Sequence, residues 1–249
     1  EIAKPSYSFN LPKFEIKEDE RVVMSNPSAS LMDLGHGVAC LNFHSKMNSI
    51  DFHITDLMMK SVAKVATDFD AMIIANEGKA FSAGANLQVI LEAIHAKKWE
   101  DIDRLIREFQ GALQMVKFAP FPTVSCPFGM TLGGGCEVSL HTTDRVVAGE
   151  TYGGLVEVGV GLIPAGGGSK ELALRAYDQI ATAERGDAMP FLERAFMLIG
   201  MGKVSTSGLE AIENGLYPRD AKLSISKEHQ IERAKHLALQ MHHLGYTPK

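Results

Sequence analysis

The sequence predicts an α/β fold with a helical C-terminal part. Two patterns carry this reading. Up to about residue 165, short apolar runs bounded by turn residues alternate with segments whose apolar residues recur at helical spacing. Beyond Gly168 only the helical spacing continues. A chain of 249 residues, 45% hydrophobic and 22% charged, has enough apolar surface to bury a stable core.

The elements follow in order. Residues 1–27 are polar, charged and proline-bearing, which suits a linker or edge arm. Gly37–Phe43 reads as a strand, with Lys46-Met-Asn-Ser49 as the turn after it. Between Asp51 and Phe69, Ile54, Leu57, Met58, Val62 and Val65 share one helical stripe. Ala71–Ala75 is a short buried strand, ended by Asn76-Glu-Gly78, and Lys79 to Leu87 is a small-residue turn entering a helix. From Glu100 to Lys117, Ile102, Leu105, Ile106, Phe109, Leu113 and Val116 keep helical spacing until Pro120 and Pro122 stop it. Thr123–Phe128 reads as a strand that runs into Leu132-Gly-Gly-Gly135 and a helix opening near Gly134. Arg145–Ala148 is another strand. Ser207-Gly-Leu-Glu210 has the form of a capping box, Asn214-Gly215 that of a helix end, and Ile231 to Met241 stripe a last helix.

Several function classes are excluded. A formal net charge of -5 with no face-sized Lys/Arg cluster argues against nucleic acid as a partner. No apolar run reaches the ~18 residues of a membrane span. Cys40, Cys126 and Cys136 lie in apolar segments without CxxC spacing and read as reduced thiols of a cytoplasmic protein. HExxH and Cys/His ligand spacings are absent, so no metal is expected. Gly166-Gly-Gly-Ser-Lys170 lacks the phosphate-loop spacing, and GxSxG does not occur.

Two turns share a design of small residues before a helix start, at Ser82-Ala-Gly-Ala85 and Leu132-Gly-Gly-Gly135. If their strands are neighbours, amides from both converge on one carbonyl oxygen as an oxyanion hole. Close packing of helix on strand would use the same glycines. Glu137 and Glu157 sit in apolar, glycine-rich surroundings, where a carboxylate is costly unless paired, hydrogen-bonded or used in chemistry. Arg145 and Lys170 are available as structural ion-pair partners.

Lys79-Ala-Phe-Ser-Ala-Gly-Ala-Asn-Leu87, Gly129-Met-Thr-Leu-Gly-Gly-Gly-Cys-Glu-Val138 and Glu157-Val-Gly-Val-Gly-Leu-Ile-Pro-Ala-Gly-Gly-Gly168 together resemble the crotonase (enoyl-CoA hydratase/isomerase) superfamily. The resemblance covers about residues 30 to 220. It implies a spiral of ββα turns as the core (residues 28–200), a C-terminal helical region of trimerisation type (201–249), and a homo-oligomer, trimer or hexamer. Carried over residue by residue, it makes the amides of Ala85 and Gly134 the oxyanion hole, Glu137 the residue that activates water and Glu157 the proton donor to the α-carbon. It also implies that Ser82, Ala83 and Asn86 face coenzyme A, with Lys46 and Lys79 as candidates for its phosphates and Ala165 beside the substrate. Acyl-CoA is then the substrate, and no separate cofactor is needed.

The sequence departs from the family pattern in three places. Asn86 replaces the usual aspartate, the segment before Glu157 reads Tyr152-Gly-Gly-Leu-Val156 rather than a Phe-Gly-Gln-Pro-type sequence and is one residue shorter than the family's, and Ala165 replaces a glycine. The start of the chain and Ala29 to Leu41 resemble the hydratase part of larger bacterial 3-hydroxyacyl-CoA dehydrogenases, which implies a fused dehydrogenase portion. The expected activity is hydration of 2-enoyl-CoA in fatty-acid β-oxidation. The alternatives are an enoyl-CoA isomerase and a non-catalytic acyl-CoA-binding or assembly domain.

Overall fold

A computed structural model describes residues 20–180 and 187–248 of the chain. The strands among them are β1 (Val22–Ser25), β2 (Ala29–Asp33), β3 (Val38–Phe43), β4 (Ala71–Ile74), β5 (Ala80–Ser82), β6 (Thr123–Ser125), β7 (Gly129–Leu132), β8 (Asp144–Ala148), β9 (Thr151–Gly154) and β10 (Lys222–Ser224). The helices are α1 (Phe52–Asp68), α2 (Leu87–His95), α3 (Trp99–Lys117), α4 (Gly134–His141), α5 (Gly168–Ile180), α6 (Met189–Gly200), α7 (Gly208–Glu213) and α8 (Gln230–His243).

The strands form a seven-stranded sheet of order β1-β2-β3-β4-β6-β8-β10 and a three-stranded sheet of order β5-β7-β9. The first three strands of the large sheet are antiparallel, and every later pairing in both sheets is parallel. Between β4 and α5 the chain repeats one step three times. It lays a strand in the large sheet, a strand in the small sheet, then helix, and moves on one place. That repeat is the spiral the resemblance implied.

Alternation along the buried strands explains why both faces of the large sheet are covered. Leu41, Met72 and Ile74 point to one face, where Ile54, Met58 and Val62 of α1 and Leu113 and Val116 of α3 meet them. Cys40, Ile73 and Val124 point to the other and pack on Ala234 and Ala238 of α8. Asp51 caps α1 by accepting from the Ile54 amide, and Ser207 caps α7 by accepting from Glu210.

Three expectations are revised. In the 1–27 arm, residues 1–19 lie outside the described residues, but Val22–Ser25 is an edge strand paired with β2. The strand expected over Thr123–Phe128 ends at Ser125. Pro127 cannot donate to a ladder, and the chain crosses there to the small sheet as β7. The region 201–249 is not wholly helical, because β10 extends the large sheet beside β8 and α8 closes that sheet's second face.

Candidate active site

The three segments that carry the predicted chemistry follow the C-terminal ends of the three strands of the small sheet. Ala83–Ala85 follows β5, Gly133–Gly134 follows β7, and Val156–Glu157 follows β9. Since β7 lies in the middle, Gly134 has Ala85 on one side and Glu157 on the other. Crevices at the carboxyl edge of parallel strands are where α/β folds commonly bind ligands.

Backbone pairing frees the two predicted donors. Ile50 bridges to Ala85 in parallel fashion, donating to the Gly84 carbonyl at 2.8 Å and accepting from the Asn86 amide at 2.9 Å. In that pattern the intervening Ala85 amide points away from Ile50. Gly134 opens α4, where an amide has no intrahelical acceptor. Among the described residues neither amide meets an acceptor. The two turns lie close together: a Cβ built on Gly134 would lie 3.5 Å from the Ala85 nitrogen. Gly133, at φ 51 and ψ −126, takes a conformation that L side chains rarely adopt, which sets the turn.

Glu137 stands one turn into α4 and is buried. Its Oε1 accepts from the Gly168 amide at 2.8 Å. Burial pushes its carboxyl up to about 7, against the amides of the Gly166–Gly168 turn and with help from the Glu157 charge. The turn passes so near that a Cβ on Gly166 would lie 2.5 Å from Glu137 Oε2. Glu157 opens a 3-10 turn, Glu157–Val160, and burial raises its carboxyl as well. Its Oε2 is buried without a hydrogen-bond partner among the described residues. Neither glutamate is in an ion pair there: Lys170 pairs with Glu171, and Arg145 donates to the Thr142 carbonyl. The structural ion-pair explanation therefore does not apply to them.

Both carboxyls and both amides line one cavity of about 230 Å³. Its other walls are mostly apolar, chiefly Ile50, Ile90, Leu105, Ile106, Phe109 and Leu162, with Asp51, Thr55 and Glu108 also lining it. Water excluded by such walls strengthens each polar interaction inside.

The remaining predicted residues divide. Ala83 and Ala165 line this cavity. Asn86 caps α2 by accepting from Gln88, so the exchange of aspartate for asparagine keeps a capping oxygen. Ser82 does not face the cavity. It is fully buried, and its hydroxyl accepts from the Gly84 amide at 3.2 Å, which shapes the turn. Lys46 and Lys79 are exposed and outside this cavity; Lys79 lines a neighbouring groove with Met47, Glu77 and Gly78. Sequence reasoning missed the grip of the Gly166–Gly168 turn on Glu137, and the parts of Ile50 and Phe109 in the cavity wall. These contacts join residues far apart in the chain, and only the run of glycines hinted at one of them. Among the described residues no helix is long and apolar enough to cross a membrane, and no group of three His, Cys, Asp or Glu side chains could hold a metal ion.

The family model described as enoyl-CoA hydratase/isomerase matches residues 36–182. A Bacillus subtilis protein named "Probable 3-hydroxyacyl-CoA dehydrogenase" is 40% identical over 94% of this chain and 29% of its own length. A second B. subtilis protein, named "Probable enoyl-CoA hydratase", is 30% identical over 81% of this chain and 71% of its own length. The chain thus spans under a third of the first of these relatives. A crystal structure of an enoyl-CoA hydratase from Geobacillus kaustophilus superimposes with a TM-score of 0.73 at 21% identity, covering 88% of this chain and 76% of that one.

Proposed function

The chain belongs to the enoyl-CoA hydratase/isomerase family, and from that premise we propose that it hydrates 2-enoyl-CoA thioesters. One observation carries the reading: two carboxyls without ion-pair partners and two amides without acceptors share an apolar cavity. The thioester oxygen accepts from the amides of Ala85 and Gly134. Ionised Glu137 takes a proton from water as the water oxygen bonds to the β-carbon. The electron pair of the double bond moves to the thioester, and the enolate oxygen that forms is what the two amides stabilise, each worth ~100 to 1,000-fold in rate. Protonated Glu157 then gives its proton to the α-carbon. The pair begins and ends with one proton between them, which suits two coupled carboxyls both pushed upward.

The thioester's own coenzyme A is the group this chemistry needs, lying along the Ala83–Asn86 turn and the groove of Lys79. The hydroxyacyl product is of the class a fused dehydrogenase portion would oxidise, and the 40% identical relative is named "Probable 3-hydroxyacyl-CoA dehydrogenase". The reading further carries a cytoplasmic homo-oligomer, trimer or hexamer, that acts in fatty-acid β-oxidation. The test is to offer the full chain crotonyl-CoA and a 3-enoyl-CoA and follow each. Hydration of the first supports the reading. Turnover of the second alone would make the protein an isomerase, and binding without turnover would make it an acyl-CoA-binding domain.

A further inference from the structure

Behind Glu137, on the side away from the cavity, lies a cluster of charged and titratable groups that the proposed reaction does not use. His141 closes α4 one turn after Glu137, and its side chain is fully buried. Its Nδ1 lies 2.8 Å from the Glu137 carbonyl, which can only accept, so Nδ1 carries the proton and Nε2 is left as an acceptor. Lys170 Nζ stands 3.3 Å from Nε2 and can donate to it. Glu171 Oε1 lies 3.4 Å from the same nitrogen and binds Lys117 of α3 at 2.7 Å and Lys170 at 2.8 Å. Glu171 thus ties α3 to the first turn of α5. Burial, helped by the two lysines, holds His141 down to about 4 against the opposing Glu137 carbonyl and Glu171 carboxylate, so its ring stays neutral.

The Gly166–Gly168 turn runs between this cluster and the Glu137 carboxylate. A Cβ on Gly166 would strike Glu137 Oε2 at 2.5 Å, and one on Gly167 would strike His141 Nε2 at 2.9 Å. The turn is therefore clamped, with the carboxylate on one side and the imidazole on the other.

We propose that His141 and Glu171, with Lys117 and Lys170, are positioning residues that hold the Gly166–Gly168 turn so that its amides keep Glu137 aimed into the cavity. The proposal rests on the reading of Glu137 as the base. Loosening the clamp removes hydrogen bonds that favour the charged carboxylate, so Glu137 should hold its proton to higher pH. Charge alone predicts the opposite for Glu171→Ala, since deleting a nearby negative group makes Glu137 easier to ionise. The sign of the shift separates the two causes. Other titratable groups near Glu137 are Glu157 after β9 and Cys136 of α4, with Asp51 before α1 and Glu108 of α3 lining the same cavity, and all are unchanged in these variants.

The experiment is a carbon-13 NMR titration of side-chain carboxyls in the full chain, with Glu137 assigned by Glu137→Gln. His141→Ala and Glu171→Ala should each raise the Glu137 midpoint by about one pH unit, a tenfold change in proton affinity. His141→Asn, which keeps a donor for the Glu137 carbonyl, should recover at least half of the shift. An unchanged or lowered midpoint in Glu171→Ala would overturn the proposal. Glu171→Ala changes no residue of α4 and carries the test if His141→Ala does not fold. The titration needs no turnover, so a wild-type chain inactive on crotonyl-CoA would refute the hydratase reading and still leave this result decisive.

Discussion

Replacing Gly134 with alanine should abolish most activity while leaving the fold intact. The φ of Gly134 is not positive, so alanine fits the backbone, and in the first turn of α4 it should gain ~0.5–1 kcal/mol over glycine. Against that stands a 3.2 Å contact with Ile50 Cδ1, the end of a flexible side chain. The two effects offset each other, so stability should change by less than about 1 kcal/mol. The new methyl would also lie 3.5 Å from the Ala85 nitrogen and 3.5 Å from Phe109 Cε1. A thioester oxygen must come within ~2.7–3.1 Å of both amide nitrogens, and the methyl takes that space. Loss of one donor is worth ~100 to 1,000-fold, or about 2.7–4 kcal/mol of transition-state stabilisation. The assay is crotonyl-CoA hydration, followed by loss of the conjugated-thioester absorbance, with thermal unfolding in parallel. A folded Gly134→Ala variant within fivefold of wild type would show that the oxygen binds elsewhere.

Three further outcomes follow from the same geometry. Glu137→Gln and Glu157→Gln should each slow hydration by ~100-fold or more, read as kcat on crotonyl-CoA; a tenfold loss or less in either would remove that residue from the proton transfers. Because Glu137 must be ionised and is pushed up to about 7, kcat/KM should fall as pH drops through 7, and a flat profile from pH 8 to 5 would contradict its role as base. Stability should show the same raised carboxyl. Between pH 4.5 and 7 folded wild type binds more protons than its unfolded chain, so its stability falls as pH rises through that window. Glu137→Gln lacks this loss, so denaturant titrations should show its stability relative to wild type improving by up to about 3 kcal/mol from pH 4.5 to 7.

How much of this was legible in the sequence depended on whether the signal was local. Strands β3 and β4 are almost wholly apolar runs buried on both faces, β8 carries the run Val146-Val-Ala148, and helices α1, α3 and α8 show their stripe, so both kinds stand out in the text. Gly129-Met-Thr-Leu and Thr151-Tyr-Gly-Gly, by contrast, are four-residue strands with glycines in them, and nothing but their pairing makes them β7 and β9. The two carboxyls of the cavity were legible because charge among glycines and apolar residues is costly and therefore conspicuous. Ser82 shows the converse. A small polar residue in a turn reads as facing a ligand, yet this one is fully buried with its hydroxyl on the Gly84 amide. The clamp on Glu137 left no local trace beyond the run of glycines, because Gly168 lies 31 residues from it in the chain.

The small sheet also explains why these donors come from these two turns. Neighbouring strands lie ~4.8 Å apart, and an oxygen held ~2.7–3.1 Å from each of two nitrogens requires those nitrogens to be within about 6 Å. Turns after adjacent strands meet that limit, whereas turns after strands two places apart, at ~9.6 Å, do not. Ala85 follows β5 and Gly134 follows β7, which are adjacent, so their amides can share one oxygen. The turn after β9 lies too far from β5 to supply a second donor with Ala85, but it adjoins β7. It brings Glu157 to the other side of Gly134, where a Cβ on Gly133 would lie 3.3 Å from Glu157 Oε1. On the proposed reading the carbonyl oxygen falls between β5 and β7 and the α-carbon toward β9, so the strand order fits the roles proposed for the amide pair and for Glu157.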